Sequence, residues 1–130
     1  MTRHAARTAA MQMIYELILG GAGGSDTLFG LLNVDRDDDE LPYINEVLAG
    51  VAKYADELDG AIKPLLVDWT IERLAKVDLS ILRLSCYEIL HCPDIPTEVS
   101  IDEAVKLAQE YSTHEAGVFI NGILGSFVAK

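Results

Sequence analysis

Segment 78–90 constrains the fold more than any other part of this chain. It is apolar on most sides, and beyond Asp78 at its start only Arg83 and Glu88 are charged. A helix that is apolar nearly all round has to be surrounded by other elements. The segment therefore reads as a central helix, with Asp78 as its N-cap. An arginine inside such a helix calls for an acidic or carbonyl partner. The chain has 130 residues. A domain of that size buries roughly 65–70% of its unfolded surface, enough to build the surrounding layer.

The rest of the chain supplies that layer with helices. Ala6, Ala10, Met13, Ile14 and Leu17 share one face at helical spacing. Arg3, Arg7, Met11 and Tyr15 form a second stripe, four residues apart. Gly20, Gly21, Gly23 and Gly24 end this helix, and Ser25 or Asp26 caps a short one running to about Leu32. Pro42 suits the first turn of a helix reaching about Gly60. Ile44, Val47, Leu48, Val51, Tyr54, Ala55 and Leu58 hold its period. Gly50, in its middle, costs up to about 1 kcal/mol relative to Ala, and close packing is its expected use. Pro64 breaks the pattern before a short helix at 70–74. After a loop at 92–96, Ser100-Ile101-Asp102-Glu103 reads as a capping box, and Ser112-Thr113-His114-Glu115 repeats the signal. The last helix runs to about Val128. No strand-like alternation remains, so the expected fold class is all-α, in one domain over residues 1–130.

Charge is unevenly placed. The net charge is −11, from 21 acids against 10 lysines and arginines, and every acid lies at Glu16 or beyond. The start of the chain carries Arg3, His4 and Arg7 instead. An acidic body excludes broad nucleic-acid wrapping and favours basic partners. The basic tip suits an anion: a helix N-terminus adds positive potential, and arginine can grip phosphate bidentately or stack on bases. Its alternative role is solubilising a frayed end. The loop Asp35, Asp37, Asp38, Asp39 and Glu40 reads as solvated surface, because no EF-hand register places a glycine at the sixth position.

Catalytic templates are missing. The chain has no GxSxG, no phosphate loop ending in GK[ST] and no HExxH. His4, His91 and His114 lack ligand-like spacing, and Glu57/Asp59 and Asp102/Glu103 sit at helix ends. We expect no catalytic residues, no metal and no cofactor. Cys86 reads as a small buried hydrophobe. A Cys86–Cys92 disulfide starting inside a helix does not fit bridge geometry. Reduced thiols imply a cytoplasmic protein. Gln12, Tyr15 and Glu16 interrupt the apolar core a signal peptide needs, and no run reaches the roughly 18 apolar residues of a membrane span.

Four patterns then combine in order. The first is Ala6-Arg7-Thr8-Ala9-Ala10-Met11-Gln12-Met13-Ile14-Tyr15-Glu16. The second is Val77-Asp78-Leu79-Ser80-Ile81-Leu82-Arg83-Leu84, continuing through Tyr87-Glu88-Ile89-Leu90. The third is Ile95-Pro96 followed by Val99-Ser100-Ile101-Asp102-Glu103-Ala104-Val105-Lys106-Leu107-Ala108, and the fourth is Phe119-Ile120-Asn121-Gly122-Ile123-Leu124. Together they resemble the NusB family of transcription antitermination factors over nearly the whole chain. The resemblance implies about seven helices in two small packed bundles and no catalysis. It implies binding to the boxA element of ribosomal RNA leaders together with NusE, a small-subunit ribosomal protein, in a complex on elongating RNA polymerase. By position it implies RNA contacts at Arg3, His4, Arg7 and Phe119, a NusE-facing surface at Tyr15 and Asp78, and structural roles for Arg83 and Glu88.

Two departures thin the RNA face. The basic start has two arginines and a histidine where many members of the family carry more arginine, and Val118 stands where a lysine often precedes the phenylalanine. With about two to four phosphate contacts, each contributing roughly −0.7 to the salt slope, the protein alone should bind RNA weakly. Stacking on Tyr15 or Phe119 would add about 1–3 kcal/mol per base, and core packing is the competing role for both aromatics. The alternative reading is a protein-only helical module, a homodimer or NusE-binding unit with little RNA affinity. NusB-like domains also occur fused to RNA cytosine methyltransferases, and 130 residues leave no room for such a catalytic domain.

Overall fold

The computed structural model describes residues 1–22 and 24–129. Gly23, one of the glycines expected to end the first helix, lies outside the described residues, as does Lys130. Among the described residues the secondary structure is entirely helical: α1 (Arg3–Ile18), a π-helical turn (Asp26–Leu31), α2 (Leu41–Lys53), α3 (Ala55–Ile62), α4 (Lys76–His91), α5 (Thr97–Tyr111) and α6 (His114–Val128). Two 3-10 turns, Lys63–Leu65 and Ile71–Arg73, link α3 to α4. None of these helices is long and apolar enough to cross a membrane.

Helix α4 is central. It packs against α1, α2, α3, α5 and α6. Leu79, Ile81, Leu82, Leu84 and Cys86 of α4 are all buried in a continuous core. Burial, with Asp59 nearby, pushes the Cys86 thiol up to about 12, so it stays neutral and inert. Arg83 finds the partner its position demands: its Nε and Nη2 donate to Asp59 of α3 at 2.9 and 2.7 Å.

Local chemistry sets the helix ends. Thr2 caps α1 by accepting from the Ala5 N–H. At the other end Gly20 takes φ +90°. Its N–H bonds to the Leu17 carbonyl, and that of Gly21 bonds to the Glu16 carbonyl. This is a Schellman termination, which a residue with a Cβ would adopt only under strain. Thr113 caps α6 by accepting from the Ala116 N–H. At Gly50 a Cβ would run into the ring of Tyr87, so the glycine is what lets α2 approach α4.

Three expected boundaries are corrected. Residues 42–60 do not form one helix; the chain breaks at Tyr54, whose ring stacks on His91 with centroids 4.1 Å apart. Asp78 is not the N-cap of α4, because that helix begins at Lys76 and Asp78 lies in its first turn. Ser100 is not a cap either. Helix α5 starts at Thr97, and Ser100 is buried one turn inside it. Leu17 also departs from the expected apolar face of α1, since it is exposed.

Candidate nucleic-acid interface

The three basic residues of α1 form four ion pairs of different depth. Arg3 and Arg7 do share a stripe, and that stripe faces Tyr43 of α2: their guanidinium carbons lie 4.2 and 5.8 Å from the ring centroid. Arg3 remains at the rim. Its Nε donates to Glu40, and that hydrogen bond, helped by the charge of Glu40, raises its pKa against the opposing effect of burial. Its side chain keeps 43% exposure to solvent.

Arg7 is corrected outright. The sequence places it on the anion-facing stripe, but only 4% of it is exposed. Its Nε and Nη2 donate to the two carboxylate oxygens of Glu88 at 2.9 and 3.2 Å. Ser100 donates to the same carboxylate at 2.8 Å, and the Tyr43 hydroxyl donates to it as well. Four helices thus converge on one buried charge pair. Burial by itself would lower the Arg7 pKa, but the hydrogen bonds and charge of Glu88 outweigh it and raise the value. Burial, then the charge of Glu88, pushes the Tyr43 hydroxyl upward. Arg7 is a fold residue that RNA cannot reach.

His4 is clamped between two carboxylates of α5. Nδ1 lies 2.6 Å from Glu103 and Nε2 lies 2.9 Å from Glu110. With an acceptor at each ring nitrogen, the imidazolium form satisfies both. The hydrogen bond to Glu103 is the main cause of the raised His4 pKa; burial opposes it and Glu110 adds to it. Glu103, placed in a capping box by the sequence, instead faces His4 and Lys106.

The other expected site residues lie around the start of α4. Phe119 is half-buried and lines a groove with Trp69, Arg73, Leu74, Ala75, Asp78 and Ala116. Asp78, expected on the protein-facing side, therefore shares that groove, and its Oδ1 is buried without a hydrogen-bond partner among the described residues. Tyr15 is exposed and lines an adjoining groove with Met11, Gln12, Lys76, Val77 and Tyr111; Ala75 borders both grooves. Neither groove contains Arg3 or His4. The sequence reading misses Trp69 and Arg73 because they lie in the 3-10 connection, outside any long periodic helix. A lone tryptophan followed by an arginine between two helices is the signal that was available.

The geometry agrees with the comparisons. The NusB family model matches residues 4–129. The transcription antitermination protein NusB of Acetivibrio thermocellus is 43% identical, with 98% of this chain and 89% of that protein covered. The same protein of Clostridium botulinum (strain Loch Maree / Type A3) is 38% identical, over 98% of this chain and all of that protein. Among solved structures, NusB of T. maritima superposes with a TM-score of 0.86 at 29% identity, covering all of this chain and 92% of that one. A crystal structure of NusB and NusE in complex with double-stranded RNA contains a chain with a TM-score of 0.87 at 25% identity, covering 99% of this chain and 98% of that one. With a family match over nearly its full length and relatives above one-third identity, this chain belongs to the NusB family of transcription antitermination proteins.

Proposed function

We propose that this protein is a cytoplasmic, one-domain antitermination adaptor that binds boxA-type single-stranded RNA as a pair with NusE, within a complex on elongating RNA polymerase. It is not an enzyme; it acts by holding partners together. The observation that carries this reading is the near-complete likeness to a chain of the NusB and NusE complex with double-stranded RNA; the single-stranded boxA preference is the proposed part. The charge distribution supports the need for a basic partner: the net charge is −11, and each cation of the α1 tip already faces a carboxylate.

Arg3 and His4 are the proposed phosphate contacts on α1. Phosphate has to compete there with Glu40, Glu103 and Glu110, so affinity for RNA is weak until NusE adds positive surface. Phe119 is the proposed base contact, and Tyr15 and Asp78 face NusE. The test is a titration of boxA-type RNA with this protein, with NusE and with the pair, at two salt concentrations. The pair should bind clearly better than either protein alone. An absence of gain on adding NusE, together with an RNA-independent homodimer by light scattering, would favour a protein-only module.

A further inference from the structure

Trp69 is an exposed aromatic side chain with no role in the contacts of α1. It is the only tryptophan of the chain and is 51% exposed. It borders both grooves that flank Phe119, one reaching Asp78 and the other running along α6 past Val118 and Gly122. The Arg73 guanidinium lies 5.9 Å from its ring centroid. Unlike Arg3, His4 and Arg7, Arg73 has no carboxylate partner among the described residues.

We propose that Trp69 and Phe119 form a stacking platform for an unpaired base of the bound RNA, with Arg73 at its edge. This rests on the RNA-binding reading above and extends it to a second face of the molecule. The chemistry selects the base rather than the phosphate backbone. Asp78 and Glu115 line the same groove and would repel phosphate, whereas every base offers a π-face to an exposed indole. Arg73 can stack on the base or join the indole through a cation–π contact. Such a platform also supplies affinity where Val118 withholds charge.

The test uses the intact protein paired with NusE. Labelled boxA-type RNA is titrated by anisotropy, and Trp69 emission is followed in parallel. The Trp69→Phe pair supplies the background emission of NusE. The platform predicts that Trp69 emission changes in step with RNA binding. It predicts that Trp69→Ala weakens binding by roughly 5- to 100-fold at an unchanged salt slope, since a stacking contact neutralises no phosphate. Trp69→Phe should keep most of the affinity. RNA binding with unaltered Trp69 emission and wild-type affinity for Trp69→Ala would overturn the platform while leaving the adaptor reading intact. An emission change complete on adding NusE, with no further change on adding RNA, would assign the surface to protein and overturn it equally. A wild-type pair that binds no RNA would overturn both.

Discussion

Arg7 and His4 stand one turn apart on the same helix, each opposite carboxylates, and they do different work. Arg7 is sealed with Glu88 beneath Tyr43 and Ser100, while His4 sits a third exposed between Glu103 and Glu110. A buried pair contributes little net stability when whole, because desolvation offsets attraction, but removing one partner strands a charge in the core. An exposed pair is screened by water and salt and can be exchanged for another anion at small cost. The same type of contact is therefore a fixed joint in one place and a replaceable contact in the other.

The largest way to break this comparison is to open the buried joint. Arg7→Ala should cost about 3–5 kcal/mol in chemical denaturation, with any loss of RNA binding following loss of fold. If Arg7→Ala folds as stably as the wild type and loses only RNA affinity, the assignment of Arg7 to the core is wrong. Ser100→Ala removes one donor to a charged acceptor and should cost about 1.5–3 kcal/mol. A capping role would give a loss nearer 1 kcal/mol.

The exposed clamp gives a smaller, pH-dependent effect. The His4 pKa is raised above 6.5, chiefly by Glu103. Its contribution is therefore complete below about pH 6.5, the unfolded value, and is lost as pH rises through the folded value. Glu103 is lowered overall: burial pushes it up, but His4 and Lys106 outweigh that. Its contribution is present above its unfolded value and is lost as acid passes through the folded one. The stability difference between wild type and His4→Gln should be under about 1 kcal/mol, and it should shrink between pH 6.5 and pH 9. A difference that grows with pH would reverse the sign of the argument.

The contrast also explains what could be seen in the chain beforehand. Helices α1, α4, α5 and α6 were legible because their apolar residues repeat every three to four positions, and α4 was central because its apolar residues go all round. The stripe joining Arg3 to Arg7 was legible too. What it faces was not, because Glu88 lies 81 residues away in sequence, and helical spacing says nothing about which neighbour covers a stripe. Ser100 and Glu103 had the spacing of a capping box, yet their partners, Glu88 and His4, come from other helices. The break at Tyr54 coincides with a stack on His91 that only the folded chain brings together. Trp69 fell in a connection with no period, where a reading based on periodicity has no purchase.

Arg3 sets the smallest stability effect and the most direct test. Arg3→Ala should change stability by within about 0.5 kcal/mol, since its guanidinium is at the rim. The decisive measurement is the dependence of RNA affinity on salt for the NusE pair, wild type against Arg3→Ala. If the tip of α1 meets the RNA backbone, the variant binds more weakly and its slope of log K against log salt is shallower by about 0.7, one phosphate contact on a single strand. An unchanged affinity with an identical slope would contradict the claim that this basic tip touches the RNA backbone.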